Sequence, residues 1–175
     1  MMNRKLTLVV AFAGATVGLS ATSQLHAQNL VPDPGFKQAD FSPEAAIENK
    51  TTWLWYQIVA PSEATLDKAK GAVTMKGGKT FLHSSRFKVA AGKSYHVAVK
   101  AQGTGKVSLE YLWWTADGGM TKPHRTIPVK QAELKDATQA LEGADKAPEG
   151  AAEAYIRIVV EEGTVTISEP NVTTK

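Results

Sequence analysis

The side chains of this sequence best suited to chemistry are two close tryptophan pairs, a few histidines and scattered carboxylates. Trp113 and Trp114 stand together in LEYLWWTADGG (109–119), and Trp53 and Trp55 flank Leu54 in TTWLWYQ (51–57). His83, His96 and His124 fall on two strand-like runs and a loop. They lack the close pairing of a zinc motif such as H-E-x-x-H, so each reads as a structural or solvated histidine. Glycoside hydrolysis needs two carboxylates flanking the scissile bond. Glu110 and Glu161 are the pair that could approach across a sheet, but nothing marks either as a tuned acid, and both read as solvated surface or as salt-bridge partners of Lys100 or Arg157. There is no serine nucleophile elbow, and Gly77-Gly78 before Lys79 lacks the spacing of a phosphate loop. Asn49-Lys50-Thr51 and Asn171-Val172-Thr173 match glycosylation sequons, a pattern short enough to arise by chance.

These side chains must be positioned by strands. From residue 51 onward, short apolar-periodic runs alternate with turn signals, the spacing of an all-β sandwich. The runs are TTWLWYQIVA, AVTM, FLHSSRFKV, SYHVAVKA, VSLEYLWW, TIPV, AYIRIVVE and TVTISEPNV. Ala90-Ala91-Gly92-Lys93 marks a turn. Gly103-Thr104-Gly105 predicts a second turn, making SYHVAVKA and VSLEYLWW an antiparallel hairpin, and Glu162-Gly163 predicts a third. Gln131–Ala140, QAELKDATQA, has helical composition without clear alternation, and suits a helical turn or a short strand equally. Lys146–Ala151, KAPEGA, is a loop feeding the AYIRIVV run.

Residues 1–27 read as a secretory signal peptide: Arg4 and Lys5, an apolar run over Leu6–Leu19, then a small residue at Ala27. That apolar run is shorter than the ~20 residues a membrane span needs, and no later segment is long and apolar enough. Removing the leader from 175 residues leaves 148, one domain's worth with room for a core. The 20 basic residues fall to 18 against 17 acids, a net charge of +1. The basic residues are scattered, which argues against a nucleic-acid partner. Cysteine is absent, which excludes disulfides, thiolate metal sites and a lipidated cysteine. Export without cysteine suits a secreted or periplasmic bacterial protein held together by burial alone.

The start NLVPDPGF (29–36), the FKVAAGKSYHVAVKA stretch, EYLWWTADGG, the APEGA loop and the closing TVTISEPNV together resemble the family 4/9-like carbohydrate-binding modules. The resemblance implies a jelly-roll β-sandwich of two antiparallel sheets in the galactose-binding-like superfamily, spanning residues 28–175. It also implies a structural calcium held by an acidic residue after the opening Gly-Phe and an Asp in the closing strand. Here Lys37 follows Phe36, and Ser168-Glu169-Pro170 stands in the closing strand. Calcium wants several oxygen ligands, usually including carboxylates, and a lysine supplies none. No cofactor is therefore expected, unless Asp33, Asp40, Glu44 or Glu169 builds a variant calcium site.

Period-two alternation assigns the faces. Tyr95, Val97, Val99 and Ala101 point inward, as do Val107, Leu109, Tyr111 and Trp113, and Ala154, Ile156, Ile158 and Val160. If these runs share a sheet, its outer face carries Trp114, Tyr155, His96, Lys100, Glu110 and Arg157. Such a face suits a sugar: C–H-rich ring faces pack on an aromatic, and charged groups orient hydroxyls. Trp53 and Trp55 are either core, with Gln57 on their face, or a stacking platform with Leu54, Tyr56 and Ile58 inward. The expected function is non-catalytic binding of a polysaccharide or oligosaccharide through Trp114, supported by Tyr155, Trp53 or Trp55. The alternative is a structural or adhesion domain with an envelope protein partner, in which Trp114 is packing. A small polysaccharide-active enzyme would require paired carboxylates or a Tyr–His–Arg constellation in one cleft.

Overall fold

The structure, a computed structural model, describes residues 28–39, 55–58, 64–78 and 80–175. The expected leader, Trp53, Asp40, Glu44 and the Asn49 sequon lie outside the described residues, and Trp55 is placed by its backbone. Among the described residues there are nine strands and no helix. They are β1 (Trp55–Ile58), β2 (Ala64–Asp67), β3 (Ala72–Lys76), β4 (Thr80–Ser84), β5 (Phe87–Lys88), β6 (Ser94–Trp114), β7 (Met120–Lys135), β8 (Gln139–Lys146) and β9 (Glu153–Thr174).

The 21-residue β6 and the 22-residue β9 organise everything else. They pair antiparallel from Tyr95 opposite Thr174 to Trp114 opposite Glu153. At ~3.3 Å per residue a straight ribbon of this length would reach ~70 Å, too long for one small domain. It bends where Gly105 lies opposite Gly163 and Gly103 opposite Val165. All three glycines have positive φ: 131° at Gly103, 125° at Gly105 and 78° at Gly163. A Cβ at any of them would run into a carbonyl oxygen of the opposing strand, that of Thr164, Glu162 or Thr104 respectively. Only glycine lets the two backbones cross so closely.

The bend makes two layers. In one, the first half of β6 and the second half of β9 are extended by β8 on one edge and by β3 and β2 on the other. In the second, the other halves are extended by β7 on one edge and by β5, β4 and β1 on the other. The inward side chains of both layers meet in one core, including Trp113, Tyr111, Leu109, Leu82, Met75, Ile156, Ile158 and Ile167, all fully buried. This is an all-β jelly-roll sandwich whose layers share their two central strands. The amino-terminal segment closes one end. Asn29 donates from Nδ2 to the Pro170 carbonyl and accepts at Oδ1 from the Val31 and Val172 amides, each at 3.0 Å.

The inward sets read from alternation are all buried. Two expected turns are not turns: Gly103-Thr104-Gly105 and Glu162-Gly163 are the bends of continuous strands, and the SYHVAVKA–VSLEYLWW hairpin does not exist. Positive-φ glycine serves a strand corner as well as a hairpin, which is why the signal misleads. Residues 131–140 contain no helical turn: β7 runs to Lys135, Asp136 takes a positive φ of 58°, and β8 begins at Gln139. The turns at 90–93 and 115–119 form as expected, closed by Lys93 N–H to Ala90 O at 3.2 Å and Gly118 N–H to Thr115 O at 3.0 Å.

Candidate functional site

The bend separates side chains that alternation alone had grouped. Trp114, Glu110, Tyr155 and Arg157 share the outer face of the second layer, where Glu110 lies opposite Arg157 and Leu112 opposite Tyr155. His96 and Lys100 belong to the first layer, opposite Ala144 and Ala140 of β8, and point outward from the other side of the sandwich. They pair there with Glu142, at 3.6 Å, and Glu169, at 2.7 Å. The shared face expected for all six residues is thus split in two. Trp55 lies opposite Ser84, on the edge strand of the second layer.

The outer face of the second layer is also more covered than alternation implied. Ser108, Glu110, Leu112, Tyr155, Val159 and His83 are all buried despite pointing away from the core. Arg157 donates from Nε to Glu110 Oε2 at 2.6 Å and from Nη2 to the same oxygen, and its guanidinium lies 4.9 Å from the Phe81 ring centroid. His83 stacks on Tyr155 with ring centroids 4.8 Å apart. Burial, aided by the neighbouring Arg157 charge, pushes the His83 pKa down to about 3, so its ring is neutral at ordinary pH.

Towards the end of β6 this face opens. Trp114 is half-buried, with His124 edge-on at 5.1 Å and Tyr155 at 6.2 Å between centroids. The Arg86 guanidinium covers the indole at 3.8 Å from the ring centroid. The indole N–H is shielded and has no hydrogen-bond partner. Opposite Trp114 in register stands Met120, 61% exposed and the one large hydrophobic exposed among the described residues. Together they form an apolar ledge beside cationic groups.

Local irregularities place these groups. Between His83–Arg157 and Phe87–Ala154 the β4–β5 edge holds one more residue than β9, a one-residue bulge. Ser84 fills the gap by accepting the Ile156 amide at 3.1 Å and donating to the Ser85 carbonyl at 2.9 Å. The bulge brings Arg86 to the indole. A larger irregularity between Leu112–Arg125 and Trp114–Met120 carries His124 to the same ring, where its Nδ1 lies 2.9 Å from the Trp113 carbonyl. Arg86, His124 and Met120 were absent from the expected site because their placement depends on these register shifts, which alternation does not encode.

Ion pairing is uneven here. Lys88 reaches Glu153 at 2.6 Å and Arg86 reaches it at 3.4 Å; the Lys88 bond, with help from Arg86, holds the Glu153 carboxyl below the usual range. Arg125, opposite Leu112, is exposed. Far from this ledge, an open groove of about 500 Å³ lies beside the bend, lined by Gly105, Lys106, Gln131, Ala132, Glu133 and Glu162. It offers no aromatic surface. In the segment before β1, Asp33 accepts the Lys37 and Gln38 amides at 2.8 and 2.7 Å, and the Lys37 ammonium donates to the Lys68 carbonyl.

No protein-family model and no curated sequence matches the chain. Among solved structures it is similar to the enzymatically active domain of tailspike protein 4 from bacteriophage CBA120, with TM-score 0.56 and 13% identity over 84% of this chain and 21% of that one. It is similar to the CBM22-1–GH10 modules of Clostridium thermocellum xylanase 10B complexed with xylohexaose: TM-score 0.55, 11% identity, 70% of this chain and 26% of that one. The module TmCBM61 in complex with β-1,4-galactotriose is matched at TM-score 0.50 and 16% identity, over 85% of this chain and 100% of that one. The chain thus spans about a fifth of the tailspike structure and a quarter of the xylanase structure, but the full length of the single module. What the chain shares with these structures is their fold, the jelly-roll sandwich on which carbohydrate-binding modules are built.

Proposed function

We propose that this is an exported, non-catalytic polysaccharide-binding protein whose site is the Trp114–Met120 ledge at the open end of the second layer. The observation that carries the reading is an exposed apolar ledge beside a half-buried indole and flanked by hydrogen-bonding cations. A pyranose presents a C–H face to such a ledge and hydroxyls to its rim. The single module TmCBM61, matched over its full length, is complexed with β-1,4-galactotriose, which supports a saccharide as the ligand class. Tyr155 supports Trp114 from the side, its ring 6.2 Å from the indole, while Glu110 and Arg157 are satisfied by each other. The absence of catalysis is supported by the state of the carboxylates. Glu110 is locked to Arg157, and Glu161 pairs with Lys106 at 3.3 Å, so neither is poised as an acid beside a free base.

Affinity electrophoresis of the purified protein against plant, algal and bacterial polysaccharides tests this reading. At least one polymer should retard migration, and Trp114→Ala and Met120→Ala should each weaken the effect about ten-fold or more. One observation favours the structural alternative: Arg86 and the covered neighbours of Trp114 already supply much of its packing. Absence of retardation across the panel, with Trp114→Ala losing stability instead, would establish that alternative.

A further inference from the structure

Among the described residues, the Trp114 end carries more positive charge than its carboxylates neutralise, and the excess is local. Elsewhere on the same face the charges are matched: Arg157 with Glu110, and Lys106 with Glu161. At the ledge Glu153 serves two cations. The other carboxylate there, Asp117 of the 115–119 turn, is held by the Thr115 hydroxyl and the Gly119 amide rather than by a cation. Arg86, Lys88 and Arg125 thus face two carboxylates. Glu153 bonds Lys88 at 2.6 Å, while Arg86 stands at 3.4 Å, beyond the ~2.7–2.9 Å of a strong charged hydrogen bond. Arg125 lies on the same face, opposite the residue two before Trp114, and bonds no carboxylate among the described residues. The expected mature chain has a net charge of only +1, so this surplus does not simply follow the overall composition.

Arg86 also occupies the indole surface that a sugar ring would use. A neutral sugar must push the guanidinium off the ring and gives it only hydroxyls in return. A sugar bearing a carboxylate offers both surfaces at once. Its C–H face replaces Arg86 on Trp114 and Met120, and its carboxylate receives the released guanidinium in the bidentate geometry that arginine favours. Resting on the saccharide reading above, we infer that the ledge is specific for uronic-acid residues of an acidic polysaccharide, with Arg86 and Arg125 as the groups that recognise the carboxylate.

The test is affinity electrophoresis with polygalacturonate, alginate and glucuronoxylan, each beside its carboxyl-reduced neutral counterpart, with dextran sulfate and polyglutamate as anionic controls. At least one uronan should retard the protein roughly ten-fold more strongly than its reduced form. Trp114→Ala should abolish that retardation, and Arg86→Ala should cut it about ten-fold, with circular dichroism of both variants unchanged. If a variant fails to fold, Arg125→Ala and the uronan-to-reduced ratio of the unaltered protein still decide the matter. Equal retardation by a uronan and its reduced form, sensitive to Trp114→Ala, would overturn the uronate specificity and leave saccharide binding standing. Retardation by dextran sulfate or polyglutamate as strong as by any uronan would overturn the specificity as mere charge attraction. No retardation by any polymer would overturn both readings.

Discussion

His83 and Glu110 show what it takes to put polar groups on a covered sheet face. His83 stays neutral in the folded protein down to about pH 3, whereas an unfolded chain protonates it near 6.5. Between those values the unfolded state binds more protons, so stability falls as pH drops, by up to ~1.4 kcal/mol per unit from this residue alone. Urea unfolding at pH 7 and pH 4.5 should therefore show the native protein losing roughly 2–3 kcal/mol more than His83→Gln across that interval. Glu110 fails differently. Glu110→Ala leaves the Arg157 guanidinium covered and unpaired, with an expected loss of about 3–5 kcal/mol in the same measurement. Arg86 is more expendable. Its side chain is 39% exposed, so its contact with Trp114 contributes only about 0.5–1 kcal/mol, and Arg86→Ala should barely change the unfolding midpoint.

Among the elements, β6 and β9 explain both the successes and the errors of reading this sequence. Alternation identified every inward residue of SYHVAVKA, VSLEYLWW and AYIRIVV, because a two-residue period survives whatever path the strand takes. It could not reveal that Gly103, Gly105 and Gly163 bend strands rather than end them, since positive φ marks either event. His96 and Lys100 were placed beside Trp114 as a result, although the bend sends them to the opposite side. The apolar Leu112 and Trp114 on the nominally outward side of VSLEYLWW were a legible sign that this face is covered. The position of Arg86 was not legible, because it hangs on a single extra residue at Ser84–Arg86. The bend itself can be tested. Gly105→Ala must move backbone and adopt an unfavourable φ, and should cost at least ~2 kcal/mol in thermal or urea unfolding.

For the molecule as a whole, the segment 28–39 and the last strand are joined through the Asn29 side chain. Asn29 makes three hydrogen bonds to residues 31, 170 and 172, and Leu30 N–H donates to the Val172 carbonyl at 2.8 Å. Asn29→Ala should cost about 1–3 kcal/mol and raise hydrogen exchange at Val31 and Val172, leaving the Trp114–Met120 ledge unchanged.

The shared ribbon also dictates when this protein can fold. Both layers take their central strand from β9, and its partners in β3, β4 and β6 lie tens of residues upstream. Local contacts are few, so loop closure must precede most of the stabilising pairing, and folding should be slow and nearly all-or-none. A nascent chain cannot complete either layer until the residues of β9 have been synthesised, so premature folding during synthesis is disfavoured. A chain truncated after Gly163 should lack protected amides in both layers. Under the export proposed above, that late commitment would keep the polypeptide unfolded, and so able to be threaded across a membrane, until its final strand is available.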